Sequence, residues 1–353
     1  MAENIRMDSH KLIYHPETVS RWLKGENIYP IEIEVSLSSG CNHRCVFCSF
    51  EYMDHNSKFL DKNIFLDNLG ELAQKGLKSV VFAGDGEPLL HKDAPCIINS
   101  ASALGIDASM STNGVLLTPD VLRECLKSLV WVRFSMAGIT DKTYDMIQRG
   151  RQGDLGKVLS NLQEAVRIKK EQNLQTSIGV QLLLLPDNKD ELVQMGKELR
   201  KIGVDYFTIK PFLQHPQNKH IIQVDYEEMI DLGKEVTALE TENYKVYFRS
   251  QTMENITCER GYTQCLALPF MVYINANGDV YSCIRILGRS ELKYGNLYKE
   301  SFIEIWEGKH RKEVVDYLTN MNLDENCGKV CRMNEMNKYL NELKHPGRHV
   351  NFI

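Results

Sequence analysis

Short apolar segments rich in β-branched residues alternate with amphipathic helical segments along residues 31–210. The strand-like segments are residues 31–37, 79–83, 108–112, 130–136, 177–185 and 206–210, and the helical ones are residues 64–75, 94–104, 119–127, 157–171 and 189–202. Such alternation favours right-handed βαβ units and a parallel sheet with helices outside. Six repeats are too few for a closed eight-stranded barrel. We therefore predict a partial (β/α)6 barrel with ligand sites at the carboxyl ends of its strands.

The pattern changes after residue 220, where a helix at 225–239 and a strand at 244–248 are predicted. Apolar runs at 270–274 and 280–283 flank Asn277-Gly278, a pair that favours a tight hairpin turn. Residues 303–343 indicate helices interrupted by one loop. The predicted α/β chain thus has an N-terminal extension (1–30), the barrel (31–220) and a C-terminal region (221–353) with a β-hairpin plus helices.

Composition narrows the classes of partner. The net charge of −5 comes without a polybasic stretch, so a nucleic-acid partner is not expected. No apolar run reaches the length that spans a membrane, and residues 1–11 lack the apolar core of a signal peptide. We expect a cytoplasmic protein that acts on a small-molecule substrate.

Ten cysteines are many for a chain in a reducing compartment, where clustered cysteines indicate metal or redox chemistry. Cys41, Cys45 and Cys48 form a Cx3Cx2C group directly after the first predicted strand. Three thiolates suit an iron–sulfur cluster with one open iron better than zinc, which usually takes four closed ligands. A mixed zinc site that includes His43 stays an alternative.

This triplet, with the aromatic Phe47 before its last cysteine, resembles the signature of the radical S-adenosylmethionine (radical SAM) superfamily. The resemblance implies a partial (β/α)6 barrel and a [4Fe–4S] cluster whose open iron binds S-adenosyl-L-methionine. It also implies cleavage of that cofactor to a 5′-deoxyadenosyl radical, which abstracts hydrogen from the substrate. An electron donor such as flavodoxin or ferredoxin is a further implied partner.

The resemblance continues through the next strand ends and covers about residues 31–215. Besides Phe47, the cofactor-binding residues that it implies are Gly84, Gly86, Glu87, Ser111, Asn113, Ser135 and Arg149. The stretch from Gly84 to Glu87 resembles the GGE motif that binds the methionine amine. Ser135 and Arg149 correspond to residues that contact ribose or carboxylate, whereas Ala137 departs from the acidic residue common in the family.

A second cysteine set lies in the last third of the chain. Cys265-x12-Gly278-x4-Cys283 resembles the opening of the SPASM and twitch auxiliary-cluster domains. By that resemblance Cys327 and Cys331 complete a second, fully ligated [4Fe–4S] cluster. No cysteine follows Cys331, which favours the shortened twitch form. A structural zinc at the same thiols is the alternative.

A fully ligated auxiliary cluster favours electron transfer, and the chain resembles 2-deoxy-scyllo-inosamine dehydrogenase-type enzymes. This implies oxidation of an alcohol to a ketone in a small sugar- or aminocyclitol-like substrate. Lys210 and His215, at the end of the sixth predicted strand, are the candidate bases or hydroxyl-binding groups.

Other outcomes stay open. A radical epimerase needs a hydrogen donor, and Cys258 is the candidate for it. A peptide maturase is weaker, because only 40 residues precede Cys41 and many maturases place a peptide-binding domain there. A non-catalytic protein with structural clusters is the third class.

Overall fold

The computed structural model describes residues 9–53, 56–212, 214–215, 217–218 and 220–352. Its strands are β1 (Glu32–Val35), β2 (Ser79–Phe82), β3 (Asp107–Thr112), β4 (Leu129–Ser135), β5 (Ser177–Leu184), β6 (Tyr206–Pro211), β7 (Lys245–Phe248), β8 (Met271–Ile274), β9 (Asp279–Tyr281) and β10 (Gly295–Asn296). Its α-helices are α1 (Pro16–Leu23), α2 (Lys62–Gln74), α3 (Ala94–Ala103), α4 (Pro119–Cys125), α5 (Asp141–Gln148), α6 (Asp154–Glu171), α7 (Leu192–Ile202), α8 (Ile230–Thr237), α9 (Ser250–Glu254), α10 (Phe302–Glu307), α11 (Lys309–Asn320), α12 (Leu323–Asn326) and α13 (Asn334–Lys344).

The strands form one open sheet in the order β10-β9-β8-β1-β2-β3-β4-β5-β6-β7. Neighbours from β1 to β6 are parallel, as the alternation of strands and helices requires. The predicted α/β class and partial (β/α)6 barrel are therefore confirmed. The helix predicted at 225–239 is shorter in the structure, where a 3-10 turn at Glu227–Met229 precedes α8.

Elements beyond residue 220 extend the barrel sheet on both sides. Strand β7 adds in parallel to β6, and β8 adds in parallel to β1, with Ile33 opposite Val272. The predicted hairpin is present, since β9 pairs antiparallel with β8. Its turn contains Gly278 at φ 76°, in the left-handed region that glycine adopts without steric cost. The hairpin next to the second cysteine set therefore pairs with β1, the strand that precedes the first cysteine set.

The two faces of the sheet differ in chemistry. Outward side chains pack with the helices in one core: Ile33, Val35, Val80, Phe82, Val132, Phe134, Val180, Leu182, Phe207 and Ile209. Inward positions alternate with these and are polar: Glu34, Ser109, Arg133, Gln181, Thr208 and Lys210. The inner face is therefore suited to a polar ligand.

Within the described part of the chain, no helix combines the length and apolarity needed to cross a lipid bilayer.

Candidate active site

The three cysteines of the Cx3Cx2C loop line one cavity of about 420 Å³. Gly84, Gly86 and Arg149 line the same cavity. The loop begins after β1, and the two glycines follow β2, so parallel pairing brings these strand ends together. Six of the residues predicted from sequence thus converge on one space at the carboxyl edge of the sheet.

Hydrogen bonds to backbone carbonyl groups set the path of the cysteine loop. Arg44 Nη1 donates to the carbonyl oxygen of Cys41 at 2.6 Å and to that of His43 at 2.7 Å. The side-chain amide of Asn218 donates to the carbonyl oxygen of Cys48 at 2.7 Å. These contacts fix the backbone of the loop that carries the three thiols.

His43 anchors the loop from within. Its side chain is buried, with Nε2 at 3.4 Å from Asp154 Oδ2 and Nδ1 at 3.4 Å from Gln148 Nε2. Burial lowers the pKa of His43, although Asp154 opposes this shift. Both ring nitrogens face protein partners, an arrangement that fits a structural anchor better than the mixed zinc site considered above.

The donor set fits an iron–sulfur cluster. Burial raises the pKa of the Cys41 thiol to about 11 and also raises the pKa values of Cys45 and Cys48. Binding of iron would therefore displace protons from these thiols. Within the described residues, no three His, Cys, Asp or Glu side chains meet as ligands of a single metal ion. The fit rests on three thiols around one cavity, a donor type that iron–sulfur clusters require.

The glycines after β2 form a close-fitting wall of the cavity. A Cβ on Gly86 would lie 2.1 Å from the carbonyl oxygen of Ser38 and 2.3 Å from that of Gly40. Gly84 has φ 119°, in the region that side-chain-bearing residues rarely adopt. Between them, Asp85 accepts a 2.8 Å hydrogen bond from the buried Tyr273 hydroxyl group. The resulting backbone approaches the cavity as closely as a ligand-binding turn requires.

The buried carboxylate of Glu87 forms hydrogen bonds with other residues of the protein. One carboxylate oxygen accepts from Thr112 Oγ1 at 2.6 Å, and the other accepts from the backbone N–H of Asn113 at 2.8 Å. Burial raises the pKa of Glu87, and these hydrogen bonds oppose the shift. Asn113 in turn donates to Asn42 Oδ1 at 2.6 Å. Glu87 and Asn113 therefore connect β2, β3 and the cysteine loop, and their predicted cofactor contacts stay predictions.

The remaining predicted cofactor residues divide into two groups. Ser111 and Ser135 are half-buried at the ends of β3 and β4. Arg149 is exposed, ends α5 in a left-handed conformation (φ 49°) and lines the cavity. Phe47 packs against an apolar cluster that includes Ile147, away from the cavity lining. Of these four residues Arg149 lines the cavity, and the predicted cofactor contacts of Ser111, Ser135 and Phe47 stay predictions.

The second cysteine set also comes together. The thiols of Cys265, Cys283, Cys327 and Cys331 influence one another's pKa values. A hydrogen bond from Cys331 lowers the pKa of Cys327, while burial raises those of Cys265 and Cys283. Four thiols from the hairpin and the loop after α12 fit a fully ligated cluster.

Two buried residues hold this second site. Arg260 donates to the carbonyl oxygens of Leu323, Cys327 and Gly328 and pairs with Asp324 at 3.0 Å. Asn337 Oδ1 accepts from the backbone N–H groups of residues 266 and 267 at 2.7 and 2.9 Å. Arg260 therefore holds the loop that carries Cys327, and Asn337 connects the segment after Cys265 to α13.

Three side chains connect the two cysteine sets. Tyr52 follows the first set, stacks on His215 at 4.5 Å, and donates a 3.1 Å hydrogen bond to the carbonyl oxygen of Leu287. Arg285 follows Cys283 in sequence. Burial and the nearby Arg285 lower the pKa of His215 to about 4, so its imidazole is neutral near pH 7.

Lys210 lies on the inner face at the end of β6, as predicted. It is half-buried, and within the described residues its ammonium group makes no hydrogen bond or ion pair. Burial and the cations Arg133, Arg249 and Arg332 hold its pKa well below the ordinary value. A lysine in such surroundings is poised to accept a proton.

Cys258 is exposed in the turn that follows α9 and does not line the cavity of the first cysteine set. The structure thus places the candidate hydrogen donor apart from the residues that converge on that cavity.

Two charged residues near Lys210 were not identified from sequence. Arg133 and Arg332 face the barrel interior from β4 and from the loop after Cys331. Arg133 lies two residues before Ser135, and the alternation of β4 places both on the inner face. Arg332 pairs with Glu34, a contact between distant segments that no local pattern indicates.

Comparison with known proteins agrees with this geometry. Residues 35–210 match the radical SAM superfamily, and residues 265–333 match SPASM, described as an iron-sulfur cluster-binding domain. The first region runs from the end of β1 into β6 and includes the first cysteine set, and the second contains the hairpin with Cys265, Cys283, Cys327 and Cys331. Both domains, the S-adenosylmethionine cofactor and iron–sulfur clusters in both regions are thereby supported independently of the motifs.

Individual relatives are distant. The chain is 24% identical to a tungsten-containing aldehyde ferredoxin oxidoreductase cofactor-modifying protein of Pyrococcus furiosus, covering 77% of this chain and 79% of the relative. It is 23% identical to an AdoMet-dependent heme synthase of Methanosarcina barkeri, covering 79% and 82%. Streptococcus suis SuiB, solved with S-adenosylmethionine, superposes with a TM-score of 0.68 at 18% identity, covering 94% of this chain and 79% of that chain. These similarities establish the fold.

Proposed function

Because the chain belongs to the radical SAM superfamily and carries a SPASM iron–sulfur domain, we propose that it oxidises an alcohol to a ketone in a small sugar- or aminocyclitol-like substrate. The observation that carries the proposal is the half-buried, unpartnered Lys210 on the inner face of the barrel. Loss of the hydroxyl proton to this amine would make the substrate radical a stronger reductant.

When bound, the first cluster supplies the electron that cleaves S-adenosylmethionine, and the second supplies an acceptor for the electron left on the substrate. Cys41, Cys45 and Cys48 would hold the first cluster, and Cys265, Cys283, Cys327 and Cys331 the second. The alcohol gives up one hydrogen atom from carbon, one proton from oxygen and one electron. A flavodoxin or ferredoxin is the proposed source of the initiating electron.

Lys210 would take the hydroxyl proton. Its lowered pKa provides a neutral amine at lower pH than an exposed lysine does, and the proton it gains is stabilised by the nearby Glu34. His215 is the second candidate; its neutral imidazole accepts a 3.2 Å hydrogen bond from the backbone N–H of Gln217. The buried position of His215 next to Tyr52 suits a residue that orients the hydroxyl group.

The competing outcomes differ in which variant abolishes product. An epimerase that uses Cys258 would lose inverted product in Cys258→Ala, while the proposed dehydrogenase loses ketone in Lys210→Ala and tolerates Cys258→Ala. The exposed position of Cys258 supports the dehydrogenase. SuiB has been solved with its precursor peptide SuiA, so peptides belong in the substrate panel.

The test is anaerobic turnover with S-adenosylmethionine, reductant and candidate alcohols deuterated at the carbinol carbon. The proposal predicts deuterium in 5′-deoxyadenosine together with an equal amount of ketone. Deuterium transfer that yields an epimer or a modified peptide would contradict the assigned outcome. Absence of cofactor cleavage with every substrate would favour a non-catalytic role.

A further inference from the structure

Arg133, an arginine without an ion-pair partner among the described residues, lies near Lys210 on the inner face of the barrel. Within the described residues, Arg133 and Lys210 make no hydrogen bond or ion pair, and Arg133 Nε is fully buried. Arg133 only stacks on Trp131, with the guanidinium carbon 4.9 Å from the ring centroid. A buried donor that lacks a partner costs free energy unless a ligand satisfies it.

Within the described residues, no carboxylate forms an ion pair with Arg133. Glu34 is already paired with Arg332. Burial raises the pKa of Glu32, and the nearby Arg332 opposes this shift, so this second carboxylate of β1 also interacts with Arg332. The inner face also presents the buried Thr208 hydroxyl and the Gln181 side-chain oxygen without partners in the described structure. Arg133, with the Thr208 hydroxyl on the same face, is therefore suited to bind a ligand that carries negative charge.

The strand register places Arg133 beside an aromatic ring on the inner face. Its neighbour across the sheet is Gly179, followed by Tyr206 on β6. A Cβ on Gly179 would lie 2.1 Å from the Tyr206 ring, so the glycine gives this ring room to lie beside Arg133. Arg133, Trp131 and Tyr206 thus form a flat, cationic and aromatic wall.

We propose that this wall is an anion subsite, in which Arg133 binds a carboxylate or phosphate group of the substrate. The inference rests on the proposed function for placing the substrate on the inner face, and it specifies the class of alcohol: one that bears an anionic group. A guanidinium fork binds either oxyanion through two parallel hydrogen bonds. The same negative charge stabilises the ammonium that Lys210 forms when it accepts a proton.

The test is calorimetric titration of the anaerobic, reconstituted protein with inorganic phosphate and with glutarate at low ionic strength. At least one probe binds the wild type; preference for phosphate or for glutarate identifies the anionic group. Arg133→Gln weakens that binding by at least about tenfold, whereas Arg133→Lys retains most of it. Arg123→Gln, which removes an exposed arginine from α4, leaves it unchanged.

Three results would overturn the proposal. The wild type binds neither probe, or Arg133→Gln binds the probe as tightly as the wild type does. The third is that Arg133→Gln loses as much affinity for S-adenosylmethionine as it does for the probe. The last would assign Arg133 to the cofactor. Folding of each variant is checked by thermal unfolding, and Arg133→Lys tests the site should Arg133→Gln be unstable. Because the titration needs no turnover, its failure is distinguishable from failure of the proposed oxidation.

Discussion

The guanidinium group of Arg332 forms an ion pair with the carboxylate of Glu34. Arg332 directly follows Cys331, and Glu34 lies on β1. The pair therefore connects the loop of the second cysteine set to the inner face of the barrel. The side chain of Glu34 is 8% exposed and that of Arg332 is 37% exposed, so only one partner is fully desolvated.

A double-mutant cycle tests this connection. Glu34→Gln, Arg332→Gln and the double variant should give a coupling of about 1–3 kcal/mol in the free energy of unfolding, because each single change leaves a partly buried charge unpaired. The control is the exposed pair Lys309 and Glu313 on α11, for which we expect under about 0.5 kcal/mol. Equal couplings for both pairs would show that the Arg332 contact is not stabilising.

The pH profile of substrate oxidation tests the role of Lys210. The neutral amine is the base, so the rate should rise with pH and level off below the ordinary lysine pKa of 10.5. Glu34→Gln should move this rise to lower pH, since Glu34 raises the pKa of Lys210. Lys210→Arg, which stays protonated, should lose about 10²–10⁴-fold in rate together with the pH dependence. An unchanged profile in Lys210→Arg would assign the proton transfer elsewhere.

Two glycine variants separate the cofactor cavity from general stability. Gly86→Ala should lower S-adenosylmethionine affinity and destabilise the protein by about 1–3 kcal/mol, since its Cβ would overlap two carbonyl oxygens. Gly70→Ala is the matched control on α2, where nothing lies within 4 Å of the added Cβ. It should stabilise the helix by about 0.5–1 kcal/mol and leave cofactor binding intact. Both are measured by urea unfolding and by cofactor titration.

Arg260→Gln should loosen the second cysteine set. The variant removes the donors to the carbonyl groups around Cys327, and we expect faster loss of iron from this site under a chelator. Arg289→Gln, which removes a half-buried arginine that pairs with Glu291 near the hairpin, should retain iron at the wild-type rate. Iron release is followed by absorbance, and equal rates for the two variants would contradict a holding role for Arg260.

The barrel and its cysteine loop could be predicted because their signals are local. Strand and helix periodicity predict β1 to β6. The spacing of Cys41, Cys45 and Cys48 can be recognised without knowing where each strand or helix ends. The hairpin could be predicted as well, because Asn277-Gly278 favours a tight turn between its strands. Helix α5 was not predicted, because it is only eight residues long and its apolar face is short.

Contacts between distant segments could not be predicted. The parallel pairing of β8 with β1 is set by packing rather than by either strand alone. The hydrogen bonds of Glu87 also join distant segments. Its motif predicts a ligand contact, but in the fold its carboxylate accepts hydrogen bonds from Thr112 and Asn113. The surface position of Cys258 likewise depends on how α9 ends, which the sequence around it does not determine.

The most direct test of the central claim, two thiol sets that hold two clusters, is the iron and sulfide content of the anaerobically reconstituted chain. We expect about eight irons per wild-type chain and about four when either set is replaced by alanine. Cys258→Ala should keep the wild-type content. About four irons in the wild type, or a loss of iron in Cys258→Ala, would contradict the assignment of the second cluster to Cys265, Cys283, Cys327 and Cys331.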